Sequence, residues 1–239
     1  MRIKILSNPK KPWAKELAKE LKGFLGPSHR VVRKGADATI CIGGDGTILY
    51  NCHKGRLEGP VLGIGGDNSY ICQLHRNDWR YEIKDLLGSD RLVSVLTLEC
   101  KLGKKRFIAL NDIVVHATHY RVAELEVSFR AEDIEMIRSF EGDGMIISTA
   151  LGSAAYAYSA GGEMLAPTER KISLVPICPY RREFSSTVLP EQAVVSVKVG
   201  SDCAFIPDGI FVRRLKKGEK ITARKGPDVL FFEGIGKSF

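Results

Sequence analysis

Five residues, Gly43-Gly44-Asp45-Gly46-Thr47, constrain this chain more than any other stretch of its 239. They follow an apolar run, Ala38-Thr39-Ile40-Cys41-Ile42, and precede Ile48-Leu49-Tyr50. A short apolar run bounded by glycines reads as a buried strand, and the glycines themselves read as a turn opening a helix, with Thr47 placed to cap it. Open α/β sheets bind ligands at the carboxyl ends of their strands. Three glycines within four residues clear the side chains that would keep a phosphate away from the backbone amides. The polar groups left are one carboxylate and one hydroxyl, suited to orienting an alcohol and a metal-bound phosphate. Asp-Gly is also a common turn dipeptide. The five residues by themselves leave a phosphate loop and a plain tight turn both open.

The surrounding pattern supplies an α/β frame. Arg2-Ile3-Lys4-Ile5-Leu6 reads as a strand, and Trp13, Leu17, Leu21 and Phe24 then recur at helical spacing behind Pro12. Short strands are expected at Val31-Val32, Ala38 to Ile42 and Val61 to Ile64, and a helix from Asp78 to Leu87 stops at Gly88. Strands alternating with helices imply a Rossmann-like, mainly parallel sheet covered by helices. From about Leu92 the texture changes. Leu125, Val127 and Phe129 alternate with Glu124, Glu126, Ser128 and Arg130, the period of a strand with one wet face. Further strands are expected at Met145 to Ser148, Ile172 to Val175, Val194 to Val199, Ile210 to Arg213 and Ile221 to Arg224. The expectation is an α/β domain over 1–92 carrying the glycine turn. An all-β, layered, sandwich-like domain comes next over 93–239, whose last ~15 residues are free to return to the first domain.

Hydrophobic residues make up 44% of the chain and charged residues 27%, enough for a substantial core. No apolar stretch approaches a membrane span, and Met1-Arg2-Ile3-Lys4-Ile5 leads into a strand rather than a signal peptide. The six cysteines are scattered without a Cys-x-x-Cys pair, which favours reduced, packed thiols and a cytoplasmic protein. The net charge of +8 is spread along the chain in short clusters such as Lys10-Lys11, Lys104-Lys105-Arg106 and Arg213-Arg214. No nucleic-acid-binding signature accompanies it, and a positive field equally suits small polyanionic ligands.

The second informative stretch runs from Gly142-Asp143-Gly144 through Ser148-Thr149-Ala150-Leu151-Gly152-Ser153-Ala154-Ala155-Tyr156 to Ser159-Ala160-Gly161-Gly162. It reads as a turn, a buried strand and a loop of small residues opening a short helix. Small side chains there let backbone amides and hydroxyls approach a ligand, or let a strand and helix pack closely. Together with the glycine turn, with Asn111-Asp112 and with Pro176-Ile177-Cys178-Pro179, it makes the chain resemble the NAD kinase family over nearly its whole length. The glycine turn alone is shared with lipid kinases and phosphofructokinases; the Asp143 to Gly162 run is the discriminating motif.

The resemblance implies roles. Asp45 is expected to be the catalytic aspartate, hydrogen-bonded to the adenosine ribose 2′-hydroxyl of NAD and taking its proton. Gly43, Gly44, Gly46 and Thr47 are expected to face phosphate, and Asp45, Gly46, Asn111, Asp112, Asp143, Ala155, Tyr156 and Ser159 to contact NAD. ATP or polyphosphate is implied as donor, with Mg2+ neutralising its charge, and a homodimer or homotetramer as the assembly. No metal-ligating residues are assigned in the protein itself.

The chain departs from the family pattern at Leu151 and Ala154, which lack hydroxyls, at Tyr180 and Ser185-Ser186, where Arg181 and Arg182 are the substitutes, and at Gly65, where the family has Asn. A lipid or small-alcohol kinase with the same turn, and a nucleotide sensor that binds NAD without turning it over, are the alternatives. Two further signals carry nothing. Gly236-Lys237-Ser238 imitates a P-loop tail without its upstream glycine or a following helix, and His116 with His119 lacks an obvious third metal ligand.

Overall fold

The computed structural model describes residues 1–118, 121–131 and 134–236. The chain divides into two compact units, one formed by residues 1–95 with the chain from Val229 onward, the other by residues 96–228.

The first unit is a sheet covered by helices. In chain order it runs β1 (Arg2–Ser7), α1 (Pro12–Leu25), β2 (Arg30–Val31), β3 (Ala38–Ile42), α2 (Asp45–His53), β4 (Val61–Gly65), β5 (Leu74–His75), α3 (Trp79–Gly88) and β6 (Leu92–Val95). The strand Val229–Phe232 completes it between β4 and β6, giving the order β2-β1-β3-β4-(Val229–Phe232)-β6, with β5 beside β4. Every pairing is parallel except that of Val229–Phe232 with β6. All five residues of β3 and of β4 are buried, as expected where helices cover both faces of a parallel sheet. Pro12 opens α1, which lays Leu17, Leu21 and Leu25 against Ile3, Ile40 and Ile64 in one core cluster.

The second unit is all β apart from short helical turns. Its strands are β7 (Leu98–Leu102), β8 (Lys105–Ala109), β9 (Asp112–Ala117), β10 (Ala123–Ala131), β11 (Ile134–Gly142), β12 (Gly144–Thr149), β13 (Lys171–Ile177), β14 (Thr187–Pro190), β15 (Val194–Val199), β16 (Cys203–Pro207), β17 (Arg213–Leu215) and β18 (Lys220–Lys225). Among the described residues its one α turn, α4, spans Tyr156–Ser159. Two antiparallel sheets, ordered β11-β10-β15-β18-β7-β8 and β14-β13-β12-β9-β16-β17, enclose one core. Leu125, Val127 and Phe129 point into that core while Glu124, Glu126 and Arg130 face outward, the alternation their spacing predicts. No helix among the described residues is long and apolar enough to cross a membrane.

Two local expectations change. The helix after the glycine turn begins at Asp45, capped by the Gly44 backbone at φ 87°, so Thr47 lies within its first turn and is not its cap. A residue with positive φ supplies the sharp entry, and only glycine adopts it without strain. The strand expected at Ile210 to Arg213 starts only at Arg213: Asp208 and Gly209 both have positive φ and turn the chain after Pro207. His119, Lys237 and Ser238 lie outside the described residues.

Candidate functional site

On the first unit, β3 delivers the chain to the glycine turn at the carboxyl edge of the sheet. Gly43 has φ 139°, and a Cβ there would lie 2.5 Å from both Asn8 Cβ and Thr47 Oγ1. The turn therefore passes directly against the end of β1, and any larger residue would push the two apart. Asn8 is drawn to the same edge by its backbone amide, which donates to the Ile42 carbonyl at 2.8 Å.

Asp45 is held more firmly than a lone turn carboxylate would be. Its Oδ2 accepts from the Tyr70 amide at 2.7 Å, and its Oδ1 from the Ile71 and Cys72 amides at 3.0 and 3.2 Å. Three of roughly four lone-pair positions are thus taken by amides, which fixes the carboxyl plane. These amides belong to the segment after β4, where nothing in the residue types marks such a role.

A cleft of about 400 Å³ opens over the turn, lined among others by Lys11, Trp13, Asp45, Ser69 and Arg76. Lys11 Nζ donates to the Gly43 carbonyl at 2.8 Å. Both Lys11 and Arg76 lie over the Trp13 ring, 5.8 and 5.5 Å from its centre, so one indole orders two cations beside the glycines. A neighbouring cavity of about 600 Å³ shares Asn8 and Gly46 with this cleft and extends past Thr47 to Tyr50 and Arg56. Thr47 Oγ1 is buried there without a hydrogen-bond partner. Sequence reasoning missed Asn8, Lys11, Trp13 and Arg76; the one available signal was the run Asn8-Pro9-Lys10-Lys11 directly after a strand.

On the second unit, Asn111 and Asp112 enter β9 with their backbone clamped from two sides. Asp208, just past β16, accepts from the Leu110, Asn111 and Asp112 amides at 2.8, 2.7 and 3.2 Å. From β12, Thr149 Oγ1 donates to the Leu110 carbonyl at 2.7 Å, while the Thr149 amide and Ser148 Oγ donate to the Asn111 carbonyl at 2.8 and 3.2 Å. A Cβ at Gly152 would lie 2.1 Å from that same carbonyl oxygen, so the small-residue loop lets the two segments touch. Ser153 Oγ is likewise spent internally, donating to the Ala150 carbonyl and accepting from the Leu165 amide. Leu151 is buried, so the missing hydroxyl there faces packing.

The side chains left over from this clamp are the informative ones. Asn111 Oδ1 is buried with no hydrogen-bond partner, a state that costs about 1–3 kcal/mol until a donor reaches it. Asp112 is 5% exposed, and burial together with the facing Asp208 carboxylate pushes its carboxyl up to about 7. Burial also pushes Asp208 up, to about 6, against the three amides that favour its anion. Tyr156, exposed at the start of α4, has its phenol raised by burial and by the neighbouring Cys178, Asp143 and Asp112, so the four groups lie near one another. Ala155 precedes it as the α4 cap. Ser159, one turn on, is exposed with its hydroxyl turned back to the Ala155 carbonyl at 3.5 Å. Asp143 sits in the turn between β11 and β12, its amide bonded to the Ile177 carbonyl at 2.9 Å. Asp208 was not singled out by the sequence; an Asp-Gly pair after a strand reads as an ordinary turn.

Cys178, Arg181 and Arg182 all have positive φ, so the segment after β13 is a bent, arginine-bearing turn. None of the six cysteines forms a disulfide; Cys178 is exposed and the rest are buried. His116 Nδ1 lies 2.9 Å from the Ala117 carbonyl, and no group of three His, Cys, Asp or Glu side chains arranged for a metal occurs among the described residues.

Residues 110–232 match the ATP-NAD kinase C-terminal domain family. Among curated proteins, the chain is 30% identical over 261 residues to the NAD kinase of Chlorobium limicola, covering 96% of this chain and 90% of that one. It is 35% identical over 194 residues to the NAD kinase of Caldicellulosiruptor saccharolyticus, covering 78% and 74%. Two solved structures share the fold. Yeast NADH kinase complexed with NADH has a TM-score of 0.85 at 20% identity, over 100% of this chain and 84% of that chain. An NAD kinase from Archaeoglobus fulgidus in complex with ATP has a TM-score of 0.80 at 23% identity, over 98% and 94%.

Proposed function

This chain belongs to the NAD kinase family, and from that premise we propose that it moves the γ-phosphoryl group of ATP to the adenosine ribose 2′-hydroxyl of NAD. The oxygen of that hydroxyl bonds to the γ-phosphorus, the bond from phosphorus to ADP breaks, and the hydroxyl proton passes to Asp45. The observation that carries this reading is the Asp45 carboxylate, oriented by the Tyr70, Ile71 and Cys72 amides beside a glycine turn and a cationic cleft. A carboxylate is a weak base toward an alcohol, so its contribution lies in orienting the hydroxyl and accepting the proton late in the transfer.

The α/β domain with the glycine turn takes the donor. Gly43, Gly44, Gly46 and Thr47 face its phosphates, with Lys11 and Arg76 as counter-charges. The cavity reaching Tyr50 has the size and the aromatic wall for a nucleoside, which favours ATP over polyphosphate. The β-rich domain takes the acceptor: the open Asn111 Oδ1 and the Asp112 carboxyl read its adenosine half, with Asp143, Ala155, Tyr156 and Ser159 lining the same pocket.

Mg2+ fits as a companion of the donor. Asp45 is occupied by amides, so the ion would be held by the phosphates and water with at most one protein carboxylate, a common arrangement for this cation. Bound there, it neutralises charge on the transferring phosphates. Cysteines outside any disulfide suit a cytoplasmic enzyme, and a homodimer or homotetramer is the expected assembly.

The test is formation of NADP from NAD, ATP and magnesium, read by an NADP-specific dehydrogenase, with mass spectrometry locating the new phosphate. Phosphate on the 2′-oxygen is expected, with no reaction of diacylglycerol or fructose 6-phosphate. Phosphate on another hydroxyl, or a lipid or sugar outcompeting NAD, overturns the reading.

A further inference from the structure

Two buried carboxyls meet behind the acceptor pocket, and only one of them is needed to touch a ligand. Asp208 is 8% exposed and turns all its bonding inward, to the amides of Leu110, Asn111 and Asp112. Its own amide donates to the Asp112 carbonyl at 2.9 Å, so the two residues are tied in both directions. Asp208 keeps φ at 48°, a left-handed conformation that a non-glycine residue holds only when its surroundings impose it. The Asp112 side chain, in contrast, makes no bond within this clamp.

We propose that Asp208 is the positioning residue of the acceptor pocket: its carboxylate fixes the backbone of Asn111 and Asp112, and its charge couples acceptor binding to a proton on Asp112. This rests on the reading of that pocket as the NAD site.

The asymmetry decides where the charge sits. Three amide donors favour the anion on Asp208, whereas Asp112 has burial and a facing negative charge against it. The pair therefore carries one negative charge on Asp208 and a proton on Asp112 near neutrality, since two adjacent carboxylates resist ionising together. The titratable groups that face Asp112 are Asp208 from the end of β16 and Tyr156 from α4, with Asp143 and Cys178 bearing on Tyr156 in turn. Paired hydroxyl or amino donors from the acceptor satisfy an Asp112 carboxylate better than an Asp112 acid. Binding then expels the proton, and the affinity for NAD rises with pH through the neutral range.

Calorimetric titration of the full chain with NAD at pH 7, in two buffers of different ionisation enthalpy, reads this directly. Release of roughly half a proton per NAD is expected, as for a group titrating near neutrality. In Asp112→Asn the release disappears. In Asp208→Asn the KM for NAD rises by a larger factor than kcat falls, and the pH at which log KM bends moves down by about one unit as the facing charge is removed. NAD binding with no proton exchanged between pH 6 and 8 overturns the coupling while leaving the acceptor site standing, and so does an unmoved bend in Asp208→Asn. Should Asp208→Asn not fold, the wild-type titration and Asp112→Asn decide alone. Absence of any NAD binding takes down the acceptor reading and the coupling together.

Discussion

The Ser69 hydroxyl fills the space that a side chain at Gly65 would need: a Cβ on Gly65 would lie 2.1 Å from Ser69 Oγ and 2.6 Å from Ser69 Cβ. Ser69 Oγ also accepts from the Gly66 amide at 3.1 Å, closing the turn that leads to the amides on Asp45. The glycine at 65 is thus matched by a serine four residues later that lies over it. Gly65→Ala is expected to lose about 1–3 kcal/mol of stability through overpacking. In a Ser69→Gly background the same change loses less, and the cycle shows a coupling of about 0.5–3 kcal/mol. Urea denaturation of the four proteins measures it, and strictly additive losses would show that Ser69 is not what excludes the side chain.

Asp45→Asn is expected to lower turnover by roughly a hundredfold or more, the scale of a positioned acid-base group, with NAD affinity within a few-fold of wild type. The amide also presents NH2 where amides of Tyr70 to Cys72 now find acceptors, so the segment loosens and stability falls by about 1–3 kcal/mol. Steady-state kinetics with a thermal melt separates the two effects. Turnover within about fivefold of wild type removes Asp45 from the proton transfer.

The buried carboxyls predict a pH-dependent stability of a particular sign. Asp112 rises from 3.8 to about 7 on folding and Asp208 from 3.8 to about 6. Between those values the native state binds protons that the unfolded chain has released, so stability falls as pH rises through that window. Asp112→Asn removes the larger share. Its advantage over wild type is expected to grow by on the order of 2–3 kcal/mol between pH 5 and 7. Denaturation of the ligand-free protein across that range checks it; parallel pH curves for the two proteins would mean that Asp112 does not carry a proton in the native state.

Legibility in the sequence depended on how local each signal was. β3 was readable because Ala38 to Ile42 is continuously apolar between turn residues, and β10 because Leu125, Val127 and Phe129 keep a strict two-residue period. β16 was not, because Cys203-Ala-Phe-Ile-Pro mixes small and apolar residues without a period and ends on a proline. The glycine turn and Asn111-Asp112 were found as motifs, but the contacts that fix them were invisible. The amides on Asp45 come from residues 25 to 27 positions away, and the Asp208 clamp on Asn111 spans 97. Long-range hydrogen bonds to backbone leave no mark in residue type or spacing. Lys11 and Arg76 were hidden for a related reason: the shared Trp13 ring that makes them one group is a product of the fold.

That shared ring yields the last prediction, which separates the two donors. Lys11 sits on the Gly43 carbonyl and over Trp13, and Arg76 lies over the same indole, so both charges border the cleft above the glycine turn. Phosphates in that cleft meet them whether the donor is a nucleotide or an inorganic chain. Tyr50 lines only the adjoining cavity, where a base and not a phosphate would lie. Lys11→Ala and Arg76→Ala are therefore expected to raise the KM for ATP and for tripolyphosphate alike, each by roughly tenfold or more, the loss of one charge-assisted hydrogen bond. Tyr50→Ala is expected to raise the KM for ATP by a similar factor while leaving any tripolyphosphate-driven rate as it was, with the KM for NAD unchanged in all three. Trp13→Ala should mimic the cation variants at a smaller size, because it frees both charges without removing them. Initial rates with each donor at saturating NAD read the outcome. Equal effects of Tyr50→Ala on both donors would remove the nucleoside from that cavity, and no effect of Lys11 or Arg76 on either donor would place the phosphates elsewhere.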